Sequence, residues 1–314
     1  MPLPARPLAL QCPVCGEDLE RLPRTLLCPA GHRFDAARQG YFNLLTGKGT
    51  PFREDTAEMV AARAEFLGAG HYAPLAEAVA AAVLDSLPEP TADPAAAVSG
   101  KQLRVLDAGA GTGYYLDAVM DRFRAATGGA ASAVALDISR YAMRRAARVP
   151  GATAMVWDLW RRLPLADASV DVVLNVFAPR NGAEFARVLV PGGTAVVVTP
   201  LPGHLGEAAA ALGLLSIAPD KEAAVAAALG GAFAAGPVRE VRTELRLDVD
   251  DAARLAVMGP AGHHLDAAAL RARLEREGVP PVVTAAFRVQ AFTRRRPLPP
   301  ADVPARPGRD TPEG

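Results

Sequence analysis

Cysteine is missing from this chain after position 28, lysine occurs only at Lys48, Lys101 and Lys221, and aromatic residues make up 5% of the 314 positions. Each scarcity excludes something. Three cysteines, an odd number, do not make a disulfide scaffold. No apolar run approaches the roughly 20 residues of a spanning helix, and no basic-then-apolar segment opens the chain. The expectation is a soluble cytoplasmic protein without a membrane partner. Charge of neither sign is in excess, since 34 basic residues face 34 acidic ones. A polycation that binds nucleic acid over its whole surface is thereby excluded, and any such contact must be a local patch. The basic residues are nearly all arginine, and alanine, glycine and proline are abundant, which reports high-GC coding and says little about function.

The few cysteines are concentrated. Cys12, Cys15 and Cys28 join His32 in a C-x2-C-x12-C-x3-H spacing. Two close pairs of soft or borderline ligands are what a tetrahedral Zn2+ needs. Gly16 and Gly31 let each turn fold tightly enough for both members of a pair to face one ion. Four protein ligands leave no open coordination position, so the zinc is expected to be structural.

The chain divides on pattern into a zinc-binding module over 1–45, a helical connector over 46–100, a catalytic-type α/β domain over 101–294 and a disordered proline-rich tail over 295–314. Within the connector, alanine-rich segments with apolar residues at helical spacing predict two helices over 56–87, broken near Gly68-Ala69-Gly70, followed by a loose loop over 88–101. From residue 104 short apolar strands alternate with helices. Strands are predicted over 104–108, 132–138, 153–157, 170–178 and 193–199, with helices over 114–126, 140–148 and 182–190 between them. This order predicts a parallel sheet covered by helices on both faces. Beyond it, helices are expected over 206–214, 220–229, 250–257 and 265–276, an edge strand over 241–249 and a last strand over 281–293.

The first predicted strand runs into Asp107-x-Gly109-x-Gly111-x-Gly113. Glycine here lets the backbone approach a ligand at the strand's carboxyl end. Asp137 closes the second strand, where a carboxylate can accept both ribose hydroxyls of an adenosine, and Asp158 closes the third, within reach of an adenine amino group. A glycine turn alone is shared with dinucleotide-binding enzymes. The acid placed two residues before the first glycine, together with Pro191-Gly192-Gly193 before a later strand, resembles the class I S-adenosylmethionine-dependent methyltransferases instead. That resemblance implies a Rossmann-like, mostly parallel seven-stranded sheet.

Zinc module and core together resemble a narrower group, the 23S ribosomal RNA guanine-N1 methyltransferases, which include the RlmA enzymes and the tylosin-resistance methyltransferase of actinomycetes. The segments that carry this are Cys12-Pro13-Val14-Cys15, Cys28 through Asp35, Gly40-Tyr41-Phe42-Asn43-Leu44-Leu45, Ala69 through Leu75, Asp107 through Tyr115, Val176-Phe177-Ala178-Pro179 and Thr199 through Leu205. The resemblance spans residues 10 to about 290. It departs from many relatives at the glycine turn, Ala-Gly-Ala-Gly-Thr-Gly here. It implies zinc on Cys12, Cys15, Cys28 and His32. It also implies a methyl donor, S-adenosylmethionine, held by Tyr72, Gly111, Thr112 and His204, with Asp137 on its ribose. The target implied is a guanine in the hairpin 35 loop of 23S rRNA, at position 745 or 748. Phe42 and the coding bias favour 748, the branch linked to tylosin-type macrolide resistance. A homodimer is implied by the same resemblance.

No residue is singled out as the base that takes the guanine N1 proton. Asn175, at the end of the fourth strand, is the candidate to hold a base edge, with a strand-end cap as the other role open to it. Tyr114, Tyr115, Trp157 and Phe177 are candidate aromatic surfaces for the base. Arg140, Arg144, Arg145 and Arg148, Arg161-Arg162, and Arg21, Arg24, Arg33 and Arg38 on the zinc module are candidate RNA contacts or solvated faces. Two other functions stay open: a methyltransferase for a polyketide or quinone-like small molecule, and a non-catalytic zinc-ribbon RNA-binding protein. Under the first reading, losing the module abolishes rRNA binding and spares the donor.

Overall fold

The computed structural model describes residues 8–47, 49–88, 102–214 and 221–296. The expected loose loop and proline-rich tail lie almost wholly outside the described residues. Three short strands, β1 (Glu20–Leu22), β2 (Thr25–Leu27) and β3 (Arg33–Asp35), form an antiparallel sheet in that order. A fourth, β4 (Phe42–Asn43), leaves the module and pairs in parallel with β7 (Ala152–Val156).

The large sheet is built from β5 (Gln102–Ala108), β6 (Ala130–Asp137), β7, β8 (Val170–Val176), β9 (Leu189–Pro200), β10 (Phe233–Leu245) and β11 (Val283–Arg294), in the order β10-β11-β9-β8-β5-β6-β7-β4. Its five central strands, β9-β8-β5-β6-β7, are parallel; β11 runs antiparallel to both β9 and β10. The seven expected strands are therefore joined by an eighth, supplied by the zinc module. Chain order reverses on either side of β5, which makes its carboxyl end the topological switch point where such sheets bind ligands.

Side-chain alternation explains the layers. On β5, Leu103 and Val105 pack into an apolar cluster on one face, and Leu106 and Ala108 into a cluster on the other. The first face is covered by α1 (Ala57–Gly68), α2 (Ala73–Ser86), α3 (Tyr114–Thr127), α4 (Arg140–Ala146) and, farther along, α8 (Val249–Val257) and α9 (Ala267–Glu277). The second carries α5 (Gly182–Val188) and α7 (Lys221–Leu229) beside the zinc module; the four-residue α6 (Ala209–Leu212) precedes α7. Leu26, Phe42 and Leu44 of the module are fully buried with Leu106, Val134 and Met155 of the sheet. Each is worth about 1.5–3 kcal/mol in burial, so the module is part of the core. The two helices read as a connector likewise pack on the sheet: α2 lies against α3 and β11, and α1 against α8.

Several bounds differ from the periodicity for local reasons. The edge strand β10 begins at Phe233, although Gly236-Pro237 reads as a break. A bulge between Ala235 and Val238 accommodates the proline, which an edge strand tolerates. Strand β8 stops at Val176 because Phe177 takes φ +54°. Helix α4 stops at Ala146, and the chain turns at Arg148-Val149. Between α1 and α2, Gly70 at φ +87° reverses the chain and the helix axes differ by 83°. Among the described residues no single helix is long and apolar enough to cross a membrane.

Candidate donor site and zinc centre

The ligand atoms of Cys12, Cys15, Cys28 and His32 all lie within 4.8 Å of one another. A zinc with bonds of about 2.3 Å to sulfur and 2.0–2.1 Å to nitrogen holds its ligands about 3.5–3.8 Å apart, so the cluster fits the ion with little adjustment. The Cys15 and Cys28 Sγ atoms are 3.3 Å apart, and the Ala30 N–H points at the Cys28 Sγ at 3.3 Å. The Nδ1 of His32 is buried with no hydrogen-bond partner, as befits an atom reserved for a metal. Cys12 and Cys28 are buried and Cys15 is exposed. With four protein ligands the ion would be closed to substrate.

At the carboxyl ends of β5 to β9 a cleft of about 1180 Å³ opens. Pockets for a single small ligand run to about 300–1,000 Å³, so a cleft of this size has room for a donor and part of an acceptor. Tyr72, Gly109, Gly111, Thr112, Asp137, Asp158 and His204 all line it. Asp107 and Asn175 do not; both are buried behind the wall.

Each wall has a local cause. Gly109 has φ +90°, and a Cβ placed on it would stand 2.2 Å from the Cβ of Ala178. Glycine is required there because the loop after β8 closes over the turn as much as because a ligand approaches. The N–H groups of Gly109 and Ala110 both reach the Leu136 carbonyl at 2.9 Å, which locks the turn to β6. Asp137 accepts the Gly111 N–H at 3.0 Å and the Ser139 N–H at 2.8 Å on separate oxygens, leaving lone pairs for two hydroxyls. Burial raises its carboxyl above the usual range, against the lowering effect of those two N–H groups. Burial, with the neighbouring Asp137 charge, pushes Asp107 up to about 8. Tyr72, buried at the start of α2, meets the ring of Phe287 edge-on at 4.9 Å, and burial raises its phenol. His204 lies against the same ring at 4.7 Å. Its Nδ1 accepts the Ala286 N–H at 3.1 Å, so the neutral imidazole carries its hydrogen on Nε2.

Asn175 donates both amide hydrogens to backbone, to Ala108 at 3.1 Å and Pro179 at 2.9 Å. It ties the end of β5 to the loop after β8. In that loop Phe177 combines a positive φ with 45% exposure. Its ring meets Tyr115 and Phe287, and with Tyr114 these line the cleft, whereas Trp157 is buried outside it. Residues not anticipated from sequence also line the cleft: Phe52, Arg63, Trp160, Arg180, His263 and Phe287. Arg63 comes from α1, Phe287 from the last strand and the others from loops and a short 3-10 turn, and no motif marks them. Arg63 binds Asp55 at 2.7 Å and the Met258 carbonyl at 2.5 Å. Arg180 forms no ion pair among the described residues, and burial lowers its pKa.

Most of the anticipated RNA-contact arginines have acceptors within the chain. Arg21 binds the Thr153 hydroxyl on β7, Arg24 the carbonyls of Ala36 and Ala37, and Arg33 the Asp35 carboxylate. Arg140 pairs with Glu54, and both it and Arg144 lie over the Tyr141 ring.

A glycine turn at the switch point, acids at three successive strand ends and a closed Cys3His centre define a class I S-adenosylmethionine-dependent methyltransferase bearing a structural zinc ribbon. Comparison with known proteins finds both parts: residues 10–48 match the family RlmA, N-terminal, and residues 105–193 match the family Methyltransferase domain. The chain is 44% identical, over 92% of its length and 97% of the other's, to the 23S rRNA (guanine(748)-N(1))-methyltransferase of Streptomyces fradiae. It is 49% identical, over 90% of its length and 96% of the other's, to a Micromonospora griseorubida protein provisionally named a 23S rRNA (guanine-N(1)-)-methyltransferase. The chain belongs to the 23S rRNA (guanine-N1)-methyltransferase family.

Proposed function

We propose that this protein transfers a methyl group to N1 of guanine 748 in the hairpin 35 loop of 23S rRNA, and so contributes to resistance against tylosin-type macrolides. The observation that carries the position is the 44% identity, across nearly the whole of both chains, to the Streptomyces fradiae guanine-748 enzyme. The substrate implies work in the cytoplasm. The homodimer implied by the resemblance belongs to this proposal and is read by sedimentation.

When bound, S-adenosylmethionine supplies a methyl group already made electrophilic by its sulfonium; the chain's residues supply position. The ribose hydroxyls fall to Asp137, whose two oxygens keep free lone pairs, and the adenine amino group to Asp158. Tyr72, the turn at Gly111-Thr112 and the Nε2–H of His204 hold the rest of the donor. His204 acts there as a hydrogen-bond donor, since its Nδ1 is occupied by Ala286. Asn175 serves as a positioning residue that braces the loop of Phe177, whose exposed ring offers a stacking face to an extruded guanine. Asp107 lies beneath the turn and keeps its proton at neutral pH while the cleft is empty.

The test is to incubate the protein with labelled donor and either 23S rRNA hairpin transcripts or total metabolites, and to map the methylated atom. Label at N1 of guanine 748 is expected. Label at 745 moves the chain to the other branch, and label on a small molecule but never on rRNA rejects the proposal. Deleting the module is a poor test, because it strips buried Leu26, Phe42 and Leu44 from the core.

A further inference from the structure

Among the described residues, the large aromatic side chains left exposed are Phe52, Trp160 and Phe177, at 49%, 54% and 45%. In a chain with so few aromatics, all three line one cleft. Phe177 is accounted for by the target base. Phe52 and Trp160 are not, and they come from separate segments: Phe52 from the loop leaving the zinc module, Trp160 from the turn after β7.

One carboxylate brings them together. The Oδ1 of Asp158 accepts the Trp160 N–H at 3.0 Å. Its Oδ2 accepts the Thr50 hydroxyl at 2.8 Å, and the Thr50 oxygen in turn accepts the Phe52 N–H at 3.3 Å. Arg161 adds a bond to the Gly49 carbonyl of the same loop. Asp158 is 3% exposed, so the carboxylate end of this bridge is shielded from water. Two exposed aromatics on a braced frame, with Arg180, which forms no ion pair among the described residues, lining the same cleft, match an unpaired stretch of nucleic acid, whose bases present π faces and whose phosphates present negative charge.

We infer that Phe52 and Trp160 form a subsite for an unpaired nucleobase next to the target guanine, assembled by the Thr50–Asp158 bridge. The inference rests on the proposed rRNA substrate and adds a second base contact to it. Asp158 then serves two ligands, since the carboxylate offered to the donor's adenine also fixes the frame that receives RNA. Thr50 is a positioning residue in this arrangement.

The chain has two tryptophans, and Trp157 is buried. A Trp157→Phe variant therefore reports on Trp160 alone. It is titrated with an end-labelled 23S rRNA hairpin and with a fully paired duplex of the same stem, while retention of the label measures binding independently. Quenching of Trp160 by the hairpin and not by the duplex is expected. In the otherwise unaltered chain, Phe52→Ala and Trp160→Ala are each expected to raise KM for the hairpin about 10-fold, with kcat and donor affinity within two-fold. Trp160→Phe should restore most of the loss, and Thr50→Val should raise KM for the hairpin about three-fold. Hairpin binding and methylation with unquenched Trp160, or KM within two-fold in both alanine variants, overturns the subsite and leaves the proposed function standing. Failure of the unaltered protein to retain or methylate any 23S rRNA hairpin overturns both. Trp160 emission that changes with protein concentration in the absence of RNA assigns these rings to a second copy and overturns the subsite.

Discussion

Asp107 and Asp137 end adjacent parallel strands, and their surroundings give them opposite work. Asp137 faces the cleft with two backbone N–H partners; Asp107 is enclosed beneath it and titrates near 8. The sign of the consequence follows. Asp107 keeps its proton in the folded chain up to about pH 8 and loses it near pH 4 when unfolded, so between these values the unfolded state binds fewer protons. Stability must fall as pH rises across that window, by at most about 1.4 kcal/mol per pH unit. Asp107→Asn should remove this slope, with a melting temperature that changes less between pH 5 and pH 8 than in the parent; thermal melts at both pH values check it. Phe177 carries a second expectation. Its left-handed backbone costs about 1 kcal/mol or more, which Phe177→Gly relieves, so that variant should melt no lower than the parent. Its hairpin methylation should fall about 10-fold or more with the stacking face gone. The spacing of acids and glycines marked Gly109, Gly111, Asp137 and Asp158 in advance, and all four line the cleft. Phe52 and Trp160 were not, because exposure on a loop leaves no periodic trace.

At the scale of elements, the zinc module acts as a strand donor. Phe42 and Asn43 pair with Met155 and Val156, and the Leu44 N–H reaches the Val156 carbonyl at 3.2 Å. The loop that follows reaches Asp158, two residues past the end of β7. Metal, sheet edge and cleft wall are thus consecutive along one stretch of chain. Removing zinc with a chelator, or Cys28→Ser, should lower the melting temperature by about 5–10 °C, as loss of a few kcal/mol does in a domain of this size. It should also weaken RNA methylation although no zinc ligand lines the cleft. Metal analysis alongside melts and single-turnover rates checks both. The Cys3His spacing announced the metal. The strand after it was not readable, since two residues are too short for a period and β4 exists only because β7 offers an open edge.

Over the whole molecule, the absence of net charge means that RNA is not gathered by a general field, and the local cations at the cleft must do that work. Arg180 is the cleft cation without a carboxylate partner among the described residues. Arg180→Ala should reduce the slope of log KM for the hairpin against log salt by somewhat less than one unit, with the modified guanine unchanged; assays from 50 to 200 mM salt read it. Arginines that looked like an RNA face in the sequence, Arg21, Arg24 and Arg33, stay exposed but bond within the chain, to Thr153, backbone carbonyls and Asp35. A count of cations cannot tell a phosphate contact from an internal bond, since both use the same donors. The sequence alone determined the Cys3His cluster, the βα order and the acids at the strand ends, because those depend on short spacings that local geometry enforces. Only the tertiary structure decided that the zinc module belongs to the core, that Gly109 must yield to Ala178, and that Asp158 joins two distant loops into one aromatic mouth. Each of these is a contact between segments far apart in the chain, and packing, which follows space and not sequence order, sets it.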